Sequence, residues 1–203
     1  MFTRERFQKI TGGHTALYSI MPIENIPSVM EHGILSHELA KRYNHESIAL
    51  ETVQERREKK VTNTGRPLHS YANVYFDAHN PMLSRVRDKN NEICILAVEP
   101  EILNINGVIV TDCNAAASIT QFVEPERMEE VLDFGIIYKR YWTDPNEFIQ
   151  DRNKLIKCAE VLVPDLIPPE YIIGAVVANS CAADALKGKG FNLRIIIESY
   201  RFF

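Results

Sequence analysis

The second half of the chain is a succession of short apolar runs, each of strand length and each closed by turn-forming residues: EICILAVE (92–99), GVIVTD (107–112), AEVLVPD (159–165), IIGAVVAN (172–179) and NLRIIIES (192–199). Runs this short and this rich in β-branched residues form strands rather than helices. Upstream, ALYSIM (16–21) has the same character, and SYANVYF (70–76) sets Tyr71, Asn73 and Tyr75 against Ala72, Val74 and Phe76. That alternation puts two tyrosines and an asparagine on one face of a strand. Helical signals lie between and before these runs. In PIENIPSVMEHG (22–33), Ile23, Ile26, Val29 and Met30 share a helical face and Gly33 is a natural stop. Ser36 can cap a short helix through HELAKRY, the segment 48–61 reads as a helix or ordered loop, NPML (80–83) reads as a turn, and short helices are expected at 114–121, 125–132 and 181–187. The pattern predicts one α+β domain over 1–203, built on a central mixed, mainly antiparallel sheet with short helices around it.

Composition narrows the function classes. A net charge of −4 on 203 residues argues against a protein that coats duplex nucleic acid through bulk electrostatics. It leaves room for a local basic groove, and ERREKKVTNTGR (55–66) holds Arg56, Arg57, Lys59, Lys60 and Arg66. The bland alternative for such a run is a solvated helix face. Cys94, Cys113, Cys158 and Cys181 lack CxxC spacing, so free thiols are expected and no metal is implied. The longest uninterrupted apolar stretch, Ile93 to Val98, is far below a membrane span, and MFTRERFQKI has no signal-like apolar region, which predicts a cytoplasmic protein. Phosphate-binding glycine loops, an HExxH pair and a GxSxG elbow are absent, and His32 and His37 are expected at the surface beside a helix stop.

One residue does not fit the apolar pattern. Glu160 stands at the mouth of the strand that continues Val161-Leu162-Val163. A carboxylate there can be a solvated edge residue, half of an ion pair, or a catalytic group aimed into a cleft. The tyrosine face of 71–75, the arginines at 56 and 57 and the polar strand end TDCN (111–114) are remote in sequence, and a sheet that gathers them makes a polar cleft with one carboxylate, cations and aromatic faces.

At this point the chain resembles the DarT family of NAD-dependent DNA ADP-ribosyltransferase toxins. The matching pieces are LYSIMPIENIPSVMEHGILS, VQERREKKV, GRPLHSYANVYFDAHNPMLSRV, VIVTDCNAAASITQF and KCAEVLVPDLIPPEYIIGAVV, in the family's order over roughly 16–178. The resemblance implies an ADP-ribosyltransferase fold, NAD as substrate, and transfer of ADP-ribose to a base in single-stranded DNA. By the same resemblance Glu160 is the catalytic glutamate and Arg56 the arginine that holds NAD and assists catalysis, with Arg57 as the alternative register. Tyr18, Ser19, Asn25 and Tyr75 fall among NAD-pocket residues, while Arg57, Lys59, Lys60, Arg66, Tyr71, Met82 and Asn114 fall on the nucleic-acid side. Partners implied are single-stranded DNA and an antitoxin hydrolase, of macrodomain or NADAR type.

Two departures separate this chain from that pattern. Met21-Pro22 stands where the family often has Thr-His, and Asp112-Cys113-Asn114-Ala115 stands where thymidine-modifying members tend to read Asp-Gly-His-Ala. The second departure favours the guanosine-modifying branch. Thymidine in DNA or a base in RNA is the alternative acceptor, and a catalytically dead nucleic-acid-binding module is the alternative from another functional class.

Overall fold

The computed structural model describes residues 1–203. Its strands are β1 (Leu17–Pro22), β2 (Ile34–Leu35), β3 (Tyr71–Tyr75), β4 (Ile93–Val98), β5 (Ile109–Thr111), β6 (Phe122–Val123), β7 (Glu160–Pro164), β8 (Leu166–Ile167), β9 (Ile172–Val177) and β10 (Arg194–Ile197). Its α-helices are α1 (Arg4–Ile10), α2 (Ile26–His32), α3 (His37–Ala40), α4 (Glu51–Glu58), α5 (Pro81–Arg85), α6 (Met128–Val131), α7 (Phe134–Ile137), α8 (Glu147–Ile156) and α9 (Ser180–Gly188). Eight strands form one sheet in the order β10-β9-β4-β1-β3-β7-β5-β6, and β2 with β8 forms a small second sheet. Only β9 and β10 run parallel, so the sheet is mixed and mainly antiparallel, as the apolar runs predicted.

Local chemistry sets the helix boundaries. Ser36 accepts a hydrogen bond from Leu39 N to start α3, and Asn80 accepts from Met82 N and Leu83 N to start α5 where a turn was expected. Gly33 ends α2 at φ +83°, and a Cβ there would lie 2.2 Å from Ile167 O, so no other residue fits. The expected helix at 114–121 is a series of turns instead. Asn114 causes this: its side chain captures Ala116 N at 2.9 Å and its carbonyl accepts from Thr120 Oγ1 at 2.7 Å, which replaces helical pairing. The apolar-run reading also passed over α1, α7, α8 and the two-residue strands β2, β6 and β8.

The sheet has two unlike faces. On one, Val74, Leu96, Val98, Val161 and Val163 pack with Phe7 of α1, Ile26 of α2 and Leu186 of α9 in a continuous core. Each such side chain, fully buried, contributes about 1.5–3 kcal/mol. The other face carries two separate cores, one around Tyr18, Ile20, Ile95 and Leu83 and one around Leu68, Tyr71, Ile109 and Leu162. Asn73, Tyr75 and Glu160 stand in the gap between those two cores.

A seam runs through the same gap. β1 pairs along its length with β4, and β3 along its length with β7, but β1 and β3 meet only where Tyr18 lies opposite Tyr75. Beyond that pair the two strands part. No helix is long and apolar enough to cross a membrane.

Candidate active site

A cavity of about 400 Å³ opens at the seam, within the size range of small-molecule sites. Ser19 and Met21 of β1 line it together with Met82 of α5, Asn73 and Tyr75 of β3 with Glu160 of β7 form the floor, and Arg57 of α4 lines it beside Glu160. The irregular segment 43–50 covers the top.

Glu160 is the first residue of β7, directly opposite Tyr75, and is 1% exposed. Its backbone N–H donates to Thr111 Oγ1 at 2.9 Å, and the Thr111 hydroxyl donates to Cys113 O at 2.7 Å. The carboxylate is held from two sides. Arg57 Nη1 reaches Oε2 at 3.0 Å and Oε1 at 3.3 Å, and Ala115 N donates to Oε1 at 3.0 Å. A buried carboxylate needs such partners to remain ionised. Oε1 has two donors and Oε2 has one, so Oε2 keeps the greater capacity for a further hydrogen bond. Burial first, and the Glu160 charge second, push the Tyr75 phenol above its ordinary value, so it stays protonated. The same causes push the Cys158 thiol up to about 12, and this cavity-lining cysteine is therefore an inert thiol rather than a nucleophile.

Arg57 owes its position to α4, and α4 is fastened from outside the cavity floor. Gln54, one turn earlier, accepts a hydrogen bond from His69 Nε2 at 3.0 Å, and the His69 ring lies on His37 with centroids 4.2 Å apart. Burial lowers both imidazoles, His69 to about 4, and the nearby Arg57 acts in the same direction, so the pair is neutral at pH 7.

The structure divides the residues singled out from the sequence into two groups. Glu160, Arg57, Ser19, Asn25, Tyr75, Met82 and Asn114 come together around the cavity. Arg56 does not: it is exposed and its Nε turns back to Thr52 O at 3.2 Å, because on a helix adjacent residues point about 100° apart and only one of the two arginines can face Glu160. Lys59 is exposed. Lys60 bonds Ala117 O and lies 5.2 Å from the Phe122 ring centroid. Arg66 donates to Ser70 Oγ at 2.8 Å and stacks 5.1 Å over Tyr71, which is buried beside Thr62 and Thr64. These three residues fasten the turns around 62–70 and 117–122. Tyr18 faces the core under β1, with Arg201 Nη1 at 3.5 Å from its hydroxyl.

Asn25 lines the cavity with its amide already engaged: Nδ2 donates to Glu46 O and Oδ1 accepts from Glu46 N, both at 2.8 Å. It holds the segment 43–50 in place. Sequence reasoning placed Asn73 on the tyrosine face and Thr111 in the polar strand end without giving either a role, it missed Gln54, which nothing local marks, and it placed His37 at the surface although that residue lines the cavity. No cluster of three or more His, Cys, Asp or Glu is placed to hold a metal ion.

Comparison with known proteins bears on the same residues. The family model described as "ssDNA thymidine ADP-ribosyltransferase, DarT" matches residues 18–203. A DNA ADP-ribosyl transferase–DNA ADP-ribosyl glycohydrolase fusion protein of Thermosipho africanus is 32% identical over 186 residues, covering 89% of this chain and 46% of its own length. A DNA ADP-ribosyl transferase of Thermus sp. is 30% identical over 167 residues, covering 76% of this chain and 77% of its own. This chain therefore spans less than half of the first relative and about three quarters of the second. The solved structure of Thermosipho africanus DarTG in complex with ADP-ribose superposes with a TM-score of 0.79 at 29% identity, over 93% of this chain and 51% of that one. The seam cavity with its buried, arginine-held glutamate thus lies inside a match that runs to the last residue, and the chain belongs to the DarT family.

Proposed function

We propose that this chain is a toxin, a single ADP-ribosyltransferase domain over 1–203, that transfers ADP-ribose from NAD to a base in single-stranded DNA. The observation that carries this reading is Glu160, 1% exposed at the base of an open cavity, with Arg57 holding its carboxylate and Oε2 left with spare capacity.

The chemistry calls for such a group. As the bond between nicotinamide and ribose C1′ breaks, its electron pair leaves with nicotinamide and positive charge builds on the sugar. A fixed carboxylate stabilises that charge without reorganising. A base nitrogen then forms the new bond to C1′ and its proton passes to Glu160. Arg57 uses only Nη1 on Glu160, which leaves further guanidinium N–H groups for diphosphate oxygens and gives it, rather than Arg56, the catalytic arginine's part. Ser19, Asn73 and the protonated Tyr75 supply polar contacts to the ribose and nicotinamide, Asn25 acts through the segment it holds, and Met82 faces them with an apolar surface. The ADP-ribose held by the Thermosipho protein is the portion of NAD that would be transferred here.

A base in a duplex cannot reach such a floor, so the acceptor is unpaired. The description of the matching family carries thymidine. Asn114, where a histidine stands in the thymidine-modifying pattern, favours guanine as a second reading. The glycohydrolase joined to the Thermosipho relative supports an ADP-ribosyl hydrolase as the antitoxin partner; the macrodomain and NADAR types are the two that the family resemblance implies, the NADAR type going with guanine.

Incubation of the protein with NAD and single strands that each lack one base tests the reading by mass. A gain of one ADP-ribosyl group on DNA, absent with Glu160→Gln, is the expected result. Wild-type protein that labels no strand, or only RNA, overturns it, and the strand that escapes labelling identifies the base.

A further inference from the structure

β10 is the last strand of the large sheet and pairs only with β9, which leaves one of its edges open. Glu198 N donates to Val177 O at 3.0 Å, and Arg194 O lies so near Gly174 that a Cβ added there would be 2.8 Å away. Main-chain groups alternate sides along a strand, so those of residues 194, 196 and 198 face β9. The N–H and C=O of Ile195 and Ile197 therefore point to the open edge. Proteins blunt such edges with proline, a bulge, charges along the strand or very short length. The opposite edge of the sheet does so: β6 is two residues long and is followed at once by Glu124 and Pro125. β10 reads RIII, its Ile197 is 53% exposed, and charge stands only at its two ends, on Arg194 and the following Glu198. The Arg194 guanidinium is exposed with no acidic partner in its own chain, and Glu198 gives Oε2 to Arg201 Nε and keeps Oε1.

We infer that the open edge of β10 joins a second copy of this chain, β10 against β10 antiparallel, about a two-fold axis through Ile196. In that register Ile195 of one copy faces Ile197 of the other, and these are the residues whose main-chain groups point outward, so the two equivalent pairs make four hydrogen bonds. Arg194 then lies opposite Glu198 of the other copy at both ends, in the closer, non-hydrogen-bonded spacing where opposite charges attract across strands. Moving the axis to Ile195 or Ile197 also pairs outward groups, but it sets Arg194 or Glu198 against Ile196. Charge thus selects the axis at Ile196. The contact is isologous and closes on itself, giving a dimer rather than a fibre. Four residues a side make a small interface, so the dimer is weak and reversible. Ile195 and Ile197 lie on the face of Ala175 and Val177, which belong to the continuous core, and Arg194, Ile196 and Glu198 lie on the cavity face. A two-fold perpendicular to the sheet keeps each face on its own side, so both cavities open on the same side of the joined sheet. Their β1 strands are seven strand spacings apart, roughly 34 Å at about 4.8 Å each. The inference does not depend on the proposed transfer.

Sedimentation velocity on the full chain from roughly 1 to 500 µM is expected to show reversible monomer–dimer exchange within that range. Amide hydrogen exchange followed by NMR at the two ends of the range reads the geometry. The Ile195 and Ile197 N–H groups are expected to gain protection in the dimer, while those of Ile196 and Glu198, already bonded to β9, change little. Arg194→Glu and Glu198→Lys each set like charges opposite one another and are expected to weaken the dimer at least about 10-fold. An equimolar mixture of the two variants pairs opposite charges at both ends again and is expected to dimerise within about threefold of wild type. Glu198 also holds Arg201, so if Glu198→Lys does not fold, Ile197→Lys at its exposed position takes its place, with a weakening of at least about 10-fold expected. A monomer at every concentration, a dimer with unchanged exchange at Ile195 and Ile197, a mixture of folded variants no tighter than either alone, or an Ile197→Lys dimer as tight as wild type would each overturn the inference.

Discussion

Two ion pairs lie a few residues apart around the start of β7, one at the strand's first residue and one between the segments just before β7 and just after β3, and they differ in what they leave unused. Arg57 and Glu160 meet at the start of β7, at the cavity floor. Lys157 and Asp77 meet just beyond the other side of the Tyr75–Glu160 register pair, with Lys157 fully buried. Lys157 Nζ has three protons and three acceptors: Asp77 Oδ2 at 2.7 Å, Ile137 O at 2.8 Å and Lys139 O at 2.8 Å. Nothing is left over, and the pair ties both strand ends to the turn after α7. Arg57 spends one nitrogen on Glu160, and Glu160 Oε2 keeps room for another partner. Saturation marks the pair that holds the fold together; spare hydrogen-bonding capacity beside a cavity marks the pair that does chemistry.

The contrast can be broken experimentally. The largest effect is expected from Glu160→Gln, which keeps the shape and one accepting oxygen but removes the charge and turns the other oxygen into a donor: transfer should fall by about 10³-fold while the protein still folds. A loss of folding instead of activity would make this pair structural as well. Lys157→Met should do the opposite, costing about 3–4 kcal/mol of stability by stranding Asp77, while the folded fraction keeps most of its transfer activity in a thermal-shift and single-turnover comparison. Arg57→Lys should lower transfer about 10- to 100-fold, because an ammonium cannot reach both the carboxylate and a diphosphate, while Arg56→Ala stays within about twofold. Equal loss in both variants would erase the distinction between the two arginines.

The smallest effect concerns acid. His69 has a folded value of about 4 against 6.5 for an unperturbed histidine, so the unfolded chain takes up the proton first. The neutral ring's contribution is whole above pH 6.5 and is lost as pH falls toward about 4. Melting temperatures recorded across that window should drop less steeply in His69→Gln, and parallel curves would show that the ring carries no part of the acid sensitivity.

Much of the architecture could be read from the chain because it depends on local pattern. The alternation of Tyr71, Asn73 and Tyr75 gave the strand and its polar face, and Gly33 and Ser36 marked helix boundaries that the structure keeps. Glu160 stood out because a carboxylate interrupts an apolar run. What could not be read depends on which partner a side chain meets. Neither Arg56 nor Arg57 carries a local mark that says which faces β7; the rotation of α4 decides, and Gln54 and His69 fix that rotation. Asn114 defeated the expected helix at 114–121 by bonding its own turn, and Lys60, Arg66 and Tyr71 looked like a nucleic-acid track but spend their polar groups on nearby backbone and hydroxyls. α8 was passed over although Asn146 caps it, accepting from Phe148 N and Ile149 N, because its apolar residues are sparse.

The parting of β1 from β3 has a consequence for how this pocket tolerates change. A sheet that splits gains two interior margins, and the main-chain amides and carbonyls along Ser19–Pro22 and Tyr71–Val74 on those margins have no strand partner across the seam. Contacts drawn from such groups are inherited with the fold and cannot be mutated away, so side chains such as Met21 and Pro22 are free to drift while the pocket's main-chain grip persists.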